Sequence, residues 1–167
     1  IDVSGDYNAP ANYYYSHIAY LNKNYQTAFN GFSKLEKNET FAPIVPYYIC
    51  QIYYLQEQYK ELLKYAPKYL DDASVKRSDE IAKMIGLSHY QLKEYAKAIP
   101  FLEKGKKSLI RVDRFAYGYC LYKQKQFAEA VNQFEKVGGE DDEILQVATF
   151  CLADCYLKSG SKNGAKA

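Results

Sequence analysis

The sequence predicts an all-α solenoid of antiparallel helix pairs, and three observations carry that expectation. An aromatic residue followed three places later by a small or apolar one recurs at Tyr25–Ala28, Tyr59–Leu62, Tyr95–Ala98 and Phe127–Ala130, at spacings of 34, 36 and 32 residues. A period in that range marks stacked supersecondary units. On either side of each turn, apolar residues recur at helical spacing. Short polar turns separate them, Asn22-Lys23-Asn24, Gln56-Glu57-Gln58 and Lys93-Glu94 among others. About four full repeats are expected, with partial ones at both ends.

The repeat frame divides the chain in order. Residues 1–8 read as the tail of a preceding unit, and 9–42 form the first repeat. There Pro10 suits a first helical turn, where its missing N–H costs nothing. Tyr15, Ile18 and Ala19 precede the turn, and Ala28, Phe32 and Leu35 line the second helix. Repeat 2 spans 43–78, with Ile49, Ile52 and Tyr53 on its first helix. Pro67 should kink or shorten its second helix, and Asp71-Asp72-Ala73-Ser74 reads as a break and cap. Repeat 3 spans 79–110, with Ile85, Gly86 and His89 before the turn; Pro100 should interrupt and bend its second helix. Repeat 4 spans 111–145, with Phe115, Gly118, Leu121 and Tyr122, then Phe127, Ala130, Phe134 and Val137, closed by Gly138-Gly139. Residues 146–167 supply the first helix and the start of the second helix of repeat 5, through Leu152, Ala153 and Tyr156.

Composition narrows the function. Lys and Arg total 22 against 20 for Asp and Glu, a net charge of +2. Nucleic acid is not expected as a partner, because a phosphate backbone demands a basic stripe. No apolar run approaches bilayer length, so no membrane insertion is expected. Tyrosine is the outlier, at 19 residues in a chain of 167 with no Trp. Its apolar body and polar tip serve both helix packing and binding. Cys50, Cys120, Cys151 and Cys155 fall inside helical patterns, where they read as small core residues.

The slots that recur resemble the tetratricopeptide repeat (TPR) family over nearly the whole chain. That family places a small residue at repeat position 8, here Ser16, Cys50, Gly86, Gly118 and Ala153. Its alanine at position 20 corresponds to Ala28, Leu62, Ala98, Ala130 and Ala165, with Leu62 a departure. Position 24 gives Phe32, Ala66, Leu102 and Phe134, while the family's aromatic at position 4 and proline at position 32 are missing. The resemblance implies a right-handed superhelix whose first helices line a concave groove, and a protein or peptide partner gripped there. Runs such as Tyr13-Tyr14-Tyr15-Ser16-His17 and Pro46-Tyr47-Tyr48-Ile49-Cys50 resemble long exported TPR proteins of Bacteroides-type bacteria. That implies the periplasm or envelope, with the cytoplasm as the alternative.

Groove positions 2, 5, 9 and 12, carried over from the resemblance, give the candidate site. They are Tyr13, His17 and Tyr20; Tyr47, Gln51 and Tyr54; Lys83, Leu87 and Tyr90; and Phe115, Tyr119 and Tyr122. Position 12 is tyrosine in all four repeats, a ladder of stiff amphipathic rings suited to a peptide or helix. The same rings read equally as packing. A glycan-binding module is the alternative, with Gln51 and Asp154 as the groove groups able to fix sugar hydroxyls. A passive spacer is the other. The family's clamp for chaperone C-terminal carboxylates is not expected. Its positions hold Tyr13, His17, Tyr48, Glu80 and Met84 in one frame, and Lys83, Leu87, Ala116, Val147 and Cys151 in the other, which lack the cations a carboxylate needs.

Catalysis needs convergent polar groups, and the chain offers two histidines without partners at ligand spacing. His89 reads as a core residue. Cys151 and Cys155 lack the further ligands of a zinc site, and there is no phosphate loop or nucleophile elbow. No catalytic residue, metal or cofactor is expected. Lys104, Lys106, Lys107, Arg111 and Arg114 read as a solvated basic edge, and Gly139 to Glu143 as acids at a helix start.

Overall fold

The computed structural model of the chain describes residues 8–160. Among them are nine α-helices and no strand: α1 (Asn8–Leu21), α2 (Tyr25–Ser33), α3 (Val45–Leu55), α4 (Tyr59–Tyr65), α5 (Ser78–Gln91), α6 (Tyr95–Lys104), α7 (Arg111–Lys123), α8 (Phe127–Phe134) and α9 (Glu143–Lys158). The expected tail of a preceding unit falls outside the described residues except Asn8, which opens α1. The second helix of repeat 5, with Ala165, also lies outside them. Two compact units divide the chain, Ile1–Met84 and Ile85–Ala167, and each is treated separately.

Every first-to-second-helix turn closes the same way. After α1, Asn24 N–H donates to Ala19 O at 2.8 Å and Lys23 N–H to Tyr20 O at 2.9 Å. The same pair of bonds joins Gln58 to Tyr53 and Glu57 to Tyr54, Glu94 to His89 and Lys93 to Tyr90, and Gln126 to Leu121 and Lys125 to Tyr122. This is the Schellman turn, in which the residue past the helix end adopts a left-handed conformation. Glycine usually fills that place. Here it is held by Lys23, Glu57, Lys93 and Lys125, at φ of 59°, 57°, 60° and 60°. The chain tolerates a strained residue at each turn because two backbone bonds and the packing beyond over-determine it.

Small residues set the distance between paired helices. A Cβ at Gly86 would stand 2.6 Å from Leu102 Cγ and 3.0 Å from the Leu102 backbone N, and one at Gly118 would stand 2.9 Å from the Phe134 ring. Thus position 8 faces position 24 of the next helix. At Ser16 the tight partner is reversed, because it is Gly31 that admits the Ser16 hydroxyl. That buried hydroxyl donates to Asn12 O at 2.6 Å. Ala28, Leu62, Ala98 and Ala130 are all fully buried, so leucine occupies the alanine slot of repeat 2 without being expelled. In the first unit the core gathers Ala19, Ala28, Phe32, Leu35, Val45, Ile49 and Ile52. In the second it is built on Leu102, Tyr117, Leu121, Phe134 and Val137.

The two prolines expected to disturb second helices behave differently. Pro67 follows the end of α4 at Tyr65 and opens a short 3₁₀ turn, Pro67–Tyr69. Pro100 does not interrupt its helix, contrary to the sequence expectation, and α6 runs through it to Lys104. Its missing N–H would have met the carbonyl of Ala96, and both residues are exposed, so water can satisfy that carbonyl.

Arg111 is more than part of a solvated edge. Its guanidinium donates to both Asp142 carboxylate oxygens at 2.7 Å and to the backbone oxygens of Val137 (3.0 Å), Gly138 (2.6 Å) and Glu140 (3.3 Å). Asp142 in turn caps α9, accepting from Leu145 N at 3.0 Å. One side chain thereby ties the start of α7 to the loop that launches α9.

Candidate interaction faces on the first helices

Helical period places the sequence-derived site residues on one face of each first helix. In the first unit these are Tyr13, His17 and Tyr20 on α1, Tyr47, Gln51 and Tyr54 on α3, and Lys83 on α5. Leu87 and Tyr90 on α5, with Phe115, Tyr119 and Tyr122 on α7, belong to the second unit.

The ladder of position-12 tyrosines leans on the helix that follows. Tyr20 meets Tyr25 at 6.1 Å between ring centres, Tyr54 meets Tyr59 at 5.7 Å, Tyr90 meets Tyr95 at 6.2 Å and Tyr122 meets Phe127 at 6.1 Å. The Schellman turn brings residues five apart together across the corner. The same tyrosines also pin neighbouring repeats. Tyr20 donates its hydroxyl to Gln51 Oε1 at 2.9 Å, and Tyr122 donates to Asp154 Oδ2 at 2.7 Å. Tyr90 sets its ring edge-on to Tyr119 at 6.2 Å. In each case position 12 of one repeat touches position 9 of the next.

The first-unit face is largely spent on itself. Gln51 Nε2 also donates to the Tyr47 hydroxyl at 2.6 Å, and the Arg77 guanidinium lies 3.6 Å from the Tyr47 ring centre. Tyr47 is only 6% exposed, which removes it from the contacts a partner could reach directly. Burial pushes its hydroxyl up to about 12, although Arg77 pulls the other way. Tyr13 stacks on Phe41 at 4.6 Å and His17 lies parallel to Tyr13 at 6.1 Å. Burial raises the Tyr13 and Tyr20 hydroxyls as well. Tyr48, which falls at position 6 and was not among the groove positions, is the hub: its ring meets those of Tyr13, His17, Tyr20, Phe32 and Tyr47.

The second-unit face is open. Leu87, at 6% exposure, is covered, so it too offers no direct contact. Phe115 and Tyr119 stack at 6.0 Å, with the Lys123 ammonium 5.8 Å from the Tyr119 ring centre. Beside them α9 repeats the register of α7 thirty-five residues on: Val112, Phe115, Tyr119 and Tyr122 correspond to Val147, Phe150, Asp154 and Leu157. The Tyr122–Asp154 bond fixes the two stripes side by side. Val112 is 49% exposed, Val147 37%, Phe150 70% and Leu157 67%. Continuing the repeat map one unit further would have found Val147, Phe150 and Leu157. Asp154 also holds the Lys158 ammonium, which stands 5.2 Å from the Tyr122 ring centre. Both its proton-donating neighbours, Lys158 first, lower the Asp154 carboxyl below its ordinary range.

His89 sets Nδ1 2.7 Å from Glu94 Oε2 and stacks on Phe101 at 5.6 Å. The four thiols are free and buried. Burial raises Cys50 and Cys120 to about 12 and Cys155 to about 11. Among the described residues no group of three or more His, Cys, Asp or Glu could hold a metal ion, and no helix is long and apolar enough to cross a membrane.

Comparison of the fold with solved structures gives a consistent match. YrrB, a TPR protein with an unusual peptide-binding site, superposes with a TM-score of 0.73 at 20% identity, over 95% of this chain and 81% of its own. The chain has the TPR fold. Two structures of MamA also match, AMB-1 at TM-score 0.73 and 19% identity, and MSR-1 at 0.66 and 18%, covering 97% and 96% of this chain and 88% and 92% of theirs. No family model matches the sequence, and no curated protein matches it. Within the TPR frame, the exposed stripes of α7 and α9 are first-helix positions 2, 5, 9 and 12.

Proposed function

We propose that the chain is a non-catalytic protein-interaction scaffold that binds a peptide or helix of another protein on the first-helix face of α7 and α9. The observation that carries this reading is the paired apolar stripe, in which Val112, Val147, Phe150 and Leu157 stand exposed beside the half-buried rings of Phe115, Tyr119 and Tyr122. Contiguous exposed apolar surface flanked by polar groups is what protein partners cover. The likeness to a peptide-binding TPR protein points the same way. Tyr13, His17, Tyr20, Tyr54 and Tyr90 are secondary, since their rings are engaged within the chain, and Lys83, which also has an interaction within the chain, joins them. A glycan partner is disfavoured: Gln51 and Asp154, the groups that would fix sugar hydroxyls, are already bonded to tyrosines. A bacterial envelope location rests on the sequence resemblance alone.

The test is selection from a displayed peptide library on the parent chain and on Phe115→Glu/Phe150→Glu. Peptides that bind the parent with apolar anchors at helical or alternating spacing, and lose at least about tenfold in affinity on the variant, support the reading. Peptides that bind both equally, or none at all, contradict it.

A further inference from the structure

Lys123 on α7 is an exposed lysine whose ammonium stands 5.8 Å from the Tyr119 ring centre. Among the described residues that ammonium makes no hydrogen bond or ion pair. The carboxylates of the neighbouring turns are engaged or turned away. Glu94 is held by His89 and Lys97, and Asp154 by Tyr122 and Lys158. Glu129 acts on Tyr117, which the helical period puts on the other side of α7 from Tyr119. Lys125, in the turn after α7, adds further positive charge.

One repeat further on, the chain itself shows what completes this register. Asp154 and Lys158 stand at the positions of Tyr119 and Lys123, thirty-five residues later. There the carboxylate at position 9 accepts from the lysine at position 13 and from the Tyr122 hydroxyl of the preceding repeat. In repeat 4 a tyrosine takes position 9, so the lysine keeps its place beside a ring and the carboxylate is missing. Position 13 of the first three repeats holds Leu21, Leu55 and Gln91. Lysine at this place belongs to repeats 4 and 5, where the exposed apolar stripes lie.

We infer that the partner supplies this carboxylate: the segment bound on α7 and α9 carries an Asp or Glu beside its apolar anchors, and that side chain seats on Lys123 at the edge of Tyr119. This rests on the proposed interaction face and narrows its partner to an apolar segment that is also acidic. The Phe115 and Tyr119 rings, stacked at 6.0 Å, meet the apolar anchor, and Lys123 fixes its register. A charge at the rim of an apolar contact chooses among partners more than it adds affinity.

The test takes peptides selected from the displayed library on the whole chain and remakes them with acetylated and amidated ends. Most should carry Asp or Glu next to the apolar anchors, and replacing that acid with Asn or Gln should weaken binding about fivefold. Lys123→Gln should weaken the acidic peptide about as much and the neutralised peptide hardly at all, so the two changes are not additive. Lys136→Gln, an equal change of charge after α8, should leave affinity unchanged, with circular dichroism confirming equal helicity throughout. Selected peptides without acids, an acid whose contribution survives Lys123→Gln, or binding that vanishes when the ends are blocked would each overturn the inference. If such peptides still lose affinity on Phe115→Glu/Phe150→Glu, the interaction face stands and only its acidic partner falls. If they bind that variant like the parent, or the parent selects none, the face falls and the inference with it.

Discussion

Replacing Gly86 with alanine isolates the physical reason for the small residue at the helix crossing. The added Cβ would lie 2.6 Å from Leu102 Cγ, 2.9 Å from Leu102 Cδ2 and 3.0 Å from its backbone N. A rotamer change can relieve the first two contacts. The third needs the helices to part. Overpacking of this kind costs about 1–3 kcal/mol, and the backbone clash puts Gly86 at the upper end. Alanine's greater helix propensity returns about 1 kcal/mol. The net loss should be about 2 kcal/mol, seen in urea titration followed by circular dichroism or as a midpoint about 4–8 °C lower on heating. Removing the facing side chain isolates the coupling. Gly86→Ala should cost less in a Leu102→Ala background, by roughly 1 kcal/mol or more. A neutral or stabilising Gly86→Ala would refute the reasoning, since helix propensity alone predicts a gain.

Three further outcomes follow from the same structure. Replacing Lys23, Glu57, Lys93 or Lys125 with glycine should raise stability by up to about 1 kcal/mol each, because glycine escapes the left-handed strain; valine at the same sites should lower it, both read from the urea midpoint. Arg111 and the Leu145 N–H hold the Asp142 carboxyl below its ordinary range. The folded pKa is depressed, so the stability it supplies is present above the unfolded value near ~4 and is lost as pH falls below it. Acid titration of Arg111→Ala should show a shallower loss than the parent. The four buried thiols should resist an aromatic disulfide reagent in the native chain and react together once it is unfolded, since burial raises their pKa.

The helix pairs were legible because period and slot agree: Tyr25, Tyr59, Tyr95 and Phe127 each open a second helix. What the sequence could not show was how the side chains at those slots are spent. Tyr20 and Tyr122 carry the pattern of a binding ladder, yet their rings lie against the next helix and their hydroxyls bond the next repeat. Residues five apart meet only because the turn takes a left-handed step, and lysine or glutamate at that step gives no glycine signal. Tyr47 and Leu87 sit at groove positions and are buried, which a repeat register does not encode. Pro100 was read as a break because its lost hydrogen bond is visible in sequence, whereas the exposure of Ala96, which makes that loss cheap, is not. Arg111 looked like one cation among several until the loop it grips, 26–31 residues away, was in place. Phe150 and Leu157 were within reach of the repeat map, which stopped one unit short of them.

The most direct test of the central claim is the affinity of one library-selected peptide for the parent, for Phe115→Glu/Phe150→Glu, and for Tyr14→Ser/Tyr15→Ser on the first unit. The account predicts micromolar or tighter binding that falls at least about tenfold with the α7–α9 variant and is unchanged by the α1 variant. Equal binding by all three would contradict the assignment of α7 and α9 as the interaction face.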